Sequence, residues 1–223
     1  MRIGILGSGT VGQTLGQRLA ELGHDVTIGT RDPANLSGQR GGAPSLGAWL
    51  EATGGRGRVG TFAQAAAQGE VLVNAVQGLA SLEALRLAGE ENLGGKVLLD
   101  LANELDMSAG MPPRSLARDD RSLAEDLQAA FPALRVVKTL NTMSAHLMVS
   151  PASLAGGDHT VFLSGNDPDA KAQAADLLRS FGWTDLFDLG DLEGARGTEM
   201  LLPLWLRIWG QLGHVPFNFK IVR

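Results

Sequence analysis

The stretch Arg2-Ile-Gly-Ile-Leu6 runs straight into Gly7-Ser8-Gly9-Thr10-Val11-Gly12. A short apolar strand is therefore expected to turn sharply into a helix. Each glycine has a separate expected task there: Gly7 makes the tight turn, Gly9 lets backbone approach a bound group, and Gly12 allows helix and strand to pack closely. With 30 glycines in 223 residues the bare spacing is a weak signal. Its context strengthens it, because Val11, Leu15, Leu19 and Leu22 follow at helical spacing and Gly23 stands where that helix should end. The unpaired N–H groups opening such a helix suit a pyrophosphate, so the residues from Gly7 to Gly12 read as a dinucleotide cradle.

A second strand, His24 to Ile28, leads into Gly29-Thr30-Arg31. Sites that hold NAD place an acid at this position to bond the ribose 2′-hydroxyl. Here Thr30 offers a hydroxyl and Arg31 a planar guanidinium, a pair matched to a 2′-phosphate that a carboxylate would repel. The reading is NADP(H) over NAD(H). The competing reading pairs Arg31 with Asp32 in a surface ion pair.

Composition narrows the chemistry further. The chain has no cysteine and no tyrosine, which excludes disulfides, thiolate metal sites, thiol nucleophiles and a phenolic proton donor. A net charge of −5 without a basic run argues against nucleic acid as a partner. No stretch of about 18 apolar residues suggests a membrane span. The sequence starts on a strand without a signal-peptide pattern, so a cytoplasmic location is expected.

Strands are expected at Val59–Phe62, Val71–Val76, Lys96–Leu101, Arg135–Leu140 and Thr160–Ser164. Helices are expected at Ser45–Thr53, Ala63–Gln68 and Ser81–Ala88, after the capping pair Ser122 and Glu125, and from Asp167-Pro168 towards Gly182. Alternation of this kind predicts an α/β fold with a doubly wound, mostly parallel sheet of the Rossmann type and a short C-terminal helical segment. One domain over residues 1–223 is expected, with the sheet in 1–190 and the helical segment in 191–223. Residues 32–58 read as Gly/Pro/Ser-rich with a flexible link at Gly54–Arg58, and 104–121 as a long loop suited to a lid. Arg56 and Arg58 are either near the adenosine phosphate or simply solvated. The segment Gly194–Gly213 is apolar on nearly every side and carries Pro203, which should kink or split it. It is either buried in its own core or the contact of a homodimer.

Ligands of such sheets bind beyond the carboxyl ends of the strands. Ala75 and Val76 end one central strand, and Asn103 and Asn141 follow two others, so these four are expected around a nicotinamide. An asparagine amide orients a carboxamide or flat ring without adding charge, and is also a common turn residue. His146 lies close enough in sequence to serve as a general acid in the same cleft, while His24, His159 and His214 read as surface or turn residues. Asp119-Asp120 and the pair Asp185 and Asp188 read as solvated loop charges. No metal-ligand spacing stands out.

Taken together, Gly7–Gly12, Gly29-Thr-Arg31, Asp100-Leu-Ala-Asn103, Val137-Lys-Thr-Leu-Asn-Thr142 with Ser144-Ala145, and Asp188-Leu-Gly190 leading to Glu193-Gly-Ala-Arg196 resemble the NADP oxidoreductases dependent on coenzyme F420. The reductase domain of the STEAP ferric reductases is similar. The resemblance implies NADP(H) extended over the sheet and hydride exchange with a small-molecule acceptor, coenzyme F420 or a flavin, stacked on the nicotinamide. It implies no catalytic side-chain acid, with Thr30 and Arg31 at the 2′-phosphate and Asn103 and Asn141 near the reacting rings. A reading from another class is a non-catalytic NADPH sensor acting through the apolar Met200–Trp209 face.

Overall fold

A computed structural model of the chain describes residues 1–38, 42–108 and 110–223; Gln39–Gly41 of the Gly/Pro/Ser-rich segment and Ala109 of the expected lid loop lie outside it. Its elements in chain order are β1 (Arg2–Leu6), α1 (Thr10–Glu21), β2 (Asp25–Gly29), α2 (Leu46–Ala52), β3 (Gly57–Gly60), α3 (Phe62–Gln68), β4 (Val71–Asn74), α4 (Ser81–Ala88), α5 (Glu90–Leu93) and β5 (Val97–Asp100). There follow β6 (Leu105–Asp106), β7 (Arg114–Ser115), α6 (Leu123–Ala130), β8 (Arg135–Thr139), α7 (Ala145–Val149), β9 (Thr160–Gly165), α8 (Pro168–Ser180), β10 (Asp185–Asp188), α9 (Gly194–Met200) and α10 (Leu202–Gln211).

Eight strands form one sheet in the order β10-β9-β8-β5-β4-β1-β2-β3, and β6 pairs with β7 in a separate hairpin. The six strands from β8 to β3 run parallel. The central strands β1, β4, β5 and β8 are buried almost throughout, as a place beneath two helical layers requires. Against one face lie α1, α2, α7 and α8, around Leu15, Leu19, Trp49, Leu147 and Leu177. Against the other lie α3, α4, α6 and α9, around Ala65, Leu85, Leu127 and Ala195. This is the Rossmann-type α/β sheet that the alternation predicts.

The sheet reverses direction once, where β9 pairs antiparallel with β8. The link between them, residues 140–159, carries the five-residue α7 and two short 3-10 turns at Pro151–Ser153 and Ala155–Gly157, and no helix that runs the length of the sheet. The chain therefore re-enters at the edge where β8 left it. The thirteen-residue α8 is long enough to cross, and β10 lies parallel to β9.

Four local expectations are corrected. Gly57 and Arg58, expected in a flexible link, already belong to β3, and the following helix begins at Phe62 rather than Ala63. Asp185 and Asp188 bound the strand β10 instead of lying in a loop. Asp185 accepts from Thr160 Oγ1, and Asp188 from Lys171 Nζ. His159 is buried, bonded to Pro151 and Asn218 and set edge-on to Trp183.

The C-terminal helical segment splits as Pro203 predicts, with Pro203 in the first turn of α10, where no intrahelical N–H is needed. Leu202 and Trp205 are its buried residues, while Met200, Leu204 and Leu212 stand exposed. Beyond α10 the chain doubles back: Phe217 stacks on Trp205, and the Phe219 carbonyl accepts from the Thr160 N–H. Among the described residues no helix is long and apolar enough to cross a membrane.

Candidate functional site

Strand order places the chain's switch of direction between β1 and β4, where open α/β sheets bind ligands. The loops after those strands touch. Gly7 has φ +125°, and a Cβ there would come within 2.5 Å of the Ala75 carbonyl oxygen. Gly12 is fixed by packing, because its Cβ would lie 2.1 Å from the Gly7 carbonyl oxygen. Gly9 differs from both: a Cβ there would meet no atom of the described residues within 4 Å. Gly9 therefore borders an open cradle.

Helix α1 begins on Gly9 without a side-chain cap bond. Its first intrahelical bond runs from the Gln13 N–H to the Gly9 carbonyl, so the N–H groups of the opening turn have no acceptor within the helix. By contrast Ser45, Thr61, Ser122 and Asp167 cap α2, α3, α6 and α8 with their own side chains. The Ser8 hydroxyl lies 3.4 Å from that of Thr30, joining the glycine loop to the end of β2. Thr30 is buried and Arg31 exposed. Among the described residues no ion pair joins Arg31 to Asp32. Arg56 takes another course, bonding the Gly23 carbonyl and facing Asp25 at the amino edge of the sheet, away from the crevice.

The other end of the crevice is closed by protein bonded to protein. Ala75 and Val76 are half-buried at the end of β4. Asn103 Nδ2 donates to the Asn141 carbonyl at 2.8 Å, and Asn141 Nδ2 donates to Asn103 Oδ1 at 3.0 Å and to the Thr198 carbonyl at 3.1 Å. The two asparagines, read separately in the sequence, thus form one unit tied to α9. Leu140, just before Asn141, sits at φ +59°, a left-handed conformation that costs a non-glycine residue about 1–3 kcal/mol. His146 is exposed on α7, where it lines a groove of about 720 Å³ beside α1 with Thr10, Thr14 and Trp49; among the described residues no hydrogen bond joins it to either asparagine.

Beneath this end runs a polar stripe absent from the sequence-based site. Asn74, Asp100 and Lys138 are register neighbours on β4, β5 and β8. Asn74 Nδ2 donates to Asp100 Oδ1 at 2.7 Å and to Ser81 Oγ at 2.9 Å. Lys138 Nζ reaches Asp100 Oδ2 at 2.9 Å, the Ala102 carbonyl at 2.5 Å and Glu199 Oε1 at 2.7 Å. Its three donors are thereby matched to three acceptors. Glu199 Oε2 also accepts from the Leu123 N–H at the start of α6. Burial works against the Lys138 charge, but the carboxylates of Asp100 and Glu199 outweigh it and raise its pKa. Burial likewise holds the Glu199 carboxyl above its ordinary value, opposed by the Lys138 ammonium. The signal that could have revealed the stripe is a lysine inside the apolar strand Arg135-Val-Val-Lys-Thr139. Its partners lie 38 and 61 positions away, beyond the reach of any local pattern.

Known proteins bear on this crevice directly. The profile of the family described as NADP oxidoreductase, coenzyme F420-dependent, matches residues 2–104, the portion holding the glycine cradle, the end of β2 and Asn103. The metalloreductase STEAP3 of Rattus norvegicus is 31% identical over 210 residues, covering 92% of this chain and 38% of its own length. The chain thus spans well under half of that relative. The F420-dependent NADP reductase of Methanothermobacter marburgensis is 28% identical, with 93% of this chain and 92% of that protein covered. A crystal structure from Arthrobacter sp. FB24, provisionally described as an F420-dependent NADP-reductase, superposes with a TM-score of 0.94 at 53% identity over all of both chains. On this likeness from end to end, with the profile seated on the crevice itself, the chain belongs to the family of coenzyme F420-dependent NADP oxidoreductases.

Proposed function

We propose that this protein is an NADP(H)-dependent oxidoreductase that passes hydride between the nicotinamide and a flat flavin-like acceptor, with the deazaflavin coenzyme F420 as the leading candidate. The observation that carries the proposal is the pairing of an open glycine cradle at Gly9 with a β2 terminus that holds Thr30 and Arg31 and no acid. The residues present fit the cofactor. Gly7, Ser8, Gly9, Thr10, Val11 and Gly12 would hold the pyrophosphate through backbone N–H groups at the start of α1. Thr30 and Arg31 would hold the 2′-phosphate, the guanidinium by a charge-assisted bond.

Ala75, Val76, Asn103 and Asn141 would border the nicotinamide. When bound, the cofactor supplies the hydride. The contribution of the chain is to fix the ring's position and exclude water, since a flavin-type acceptor delocalises the arriving charge without a side-chain acid. The exposed Met200, Leu204 and Leu212 support a homodimer contact, and a cytoplasmic location completes the reading.

The test is a titration with NADPH and NADH, followed by a screen of deazaflavin, flavin mononucleotide and ferric chelates for oxidation of the preferred nucleotide. NADPH should bind at least tenfold more tightly than NADH, and a flavin-like acceptor should support turnover. Equal affinity would remove the 2′-phosphate argument. Tight binding without turnover on any acceptor would point to a sensor instead.

A further inference from the structure

The bonds at the ring end close a circuit. From Lys138 Nζ one branch reaches the Ala102 carbonyl, whose next residue is Asn103. The other reaches Glu199, whose preceding residue, Thr198, accepts from Asn141. The branches meet where Asn103 and Asn141 bond each other. The circuit spans β5, β8 and α9, and its charged members are excluded from solvent: Lys138 is 1% exposed, Asp100 0% and Glu199 3%.

An ion triad of this kind is weak support for stability, because desolvation offsets much of the attraction between the charges. What it fixes is geometry. A lysine with all three donors engaged has no alternative partner, so both branches are held at defined lengths. The Asn103 backbone is held from a second side, because its carbonyl accepts from the Gly78 N–H at 3.0 Å. Lys138 also makes no contact with the Gly7–Gly12 loop or with Thr30 and Arg31 among the bonds observed. Its influence is confined to one end of the crevice.

We propose that Lys138 is a positioning residue for hydride transfer: through Ala102 and Glu199 it sets the placement of Asn103 and Asn141, and so of the nicotinamide, while leaving the grip on the adenosine end untouched. The inference rests on the NADP(H) reading above. It predicts a split that a purely structural role does not produce. Small displacements of a reacting group cost rate far more than affinity, with about a hundredfold loss for roughly 1 Å.

The experiment uses Glu199→Gln and Lys138→Met in the full chain, each measured for binding of 2′,5′-ADP, which lacks the ring, and for the single-turnover rate of hydride transfer from NADPH to oxidised coenzyme F420. The expected result is 2′,5′-ADP affinity within about twofold of wild type and a rate lower by about tenfold or more. A readout independent of turnover is the side-chain amide resonances of Asn103 and Asn141 in the cofactor-free protein, which should shift in both variants. Lys138→Met strands two buried carboxyl groups; if it does not fold, Glu199→Gln, which keeps a neutral donor and acceptor in place, decides the matter. An unchanged rate, unmoved amide resonances, or a parallel fall in 2′,5′-ADP affinity would overturn the proposal. Failure of the wild-type protein to bind NADPH at all would be a different result, overturning the cofactor reading and the inference with it.

Discussion

At the glycine end of the crevice α1 opens on an uncapped Gly9 beside open space, whereas at the ring end both donors of Asn141 and all three of Lys138 are taken by protein acceptors. The first arrangement leaves donors for a charged ligand to complete. The second leaves few, and is rigid before any ligand arrives. On the proposed cofactor reading the difference is a division of labour: affinity would be gathered from phosphate groups at one end, and reactivity from a preorganised surface at the other, where binding energy is spent on placement.

The largest effect is expected at Gly12. An alanine methyl 2.1 Å from the Gly7 carbonyl oxygen cannot be accommodated by side-chain movement, because the obstacle is backbone. Gly12→Ala should lower stability by about 3 kcal/mol or more, measured by urea denaturation without ligand. A variant as stable as wild type would mean that helix and turn are less closely packed than the structure shows.

Gly9→Ala separates binding from folding at the same loop. With φ −81° and ψ −170° alanine fits the backbone. The weaker cap that alanine provides is offset by the reduced freedom of the unfolded chain, leaving stability within about 1 kcal/mol of wild type. The methyl would occupy the phosphate cradle, so NADPH affinity should fall about hundredfold, equivalent to roughly 2.7 kcal/mol. Retained affinity would place the pyrophosphate elsewhere.

Arg31→Ala comes next. Loss of one charge-assisted bond costs about 1.5–3 kcal/mol, roughly ten- to hundredfold in NADPH affinity, with NADH affinity unchanged. Equal weakening of both nucleotides would assign Arg31 to general electrostatics rather than to the 2′-phosphate.

The glycine end was legible in the sequence because its determinants are consecutive. Turn, close approach and helix start fall within Gly7–Gly12, and the end of β2 is identified by what it lacks. The ring end was only partly legible. Asn103 and Asn141 are marked by their places after strands, but their mutual bonding depends on β5 and β8 becoming neighbours, although β6, β7 and α6 lie between them in the chain. Glu199 is harder still, since its burial depends on α9 packing over α6, where Arg196 pairs with Glu125. The strand β10 carries little local signal for a related reason. Its sequence, Asp-Leu-Phe-Asp, is short and bounded by acids, and it is held by β9 and by the C-terminal Arg223, which pairs with Asp185.

The smallest expected effect concerns two carboxyl groups at the junction of α6 and α9, which should titrate with opposite signs. Burial holds Glu199 above its ordinary value of 4.5, so the folded protein binds that proton more tightly than the unfolded chain does. Its contribution to stability is then full below pH 4.5 and declines as pH rises through the raised pKa. Glu125 behaves inversely. The hydrogen bond from Arg196 holds it below 4.5, so its contribution is full above that value and is lost as pH falls through the lowered pKa. Urea midpoints followed across these windows should show the decline above pH 4.5 flattened in Glu199→Gln and the acid loss flattened in Glu125→Gln. If the Glu199→Gln profile ran parallel to wild type above pH 4.5, the carboxyl beside Lys138 would not carry a raised pKa, and the attraction of the Lys138 ammonium would fully offset the burial of Glu199.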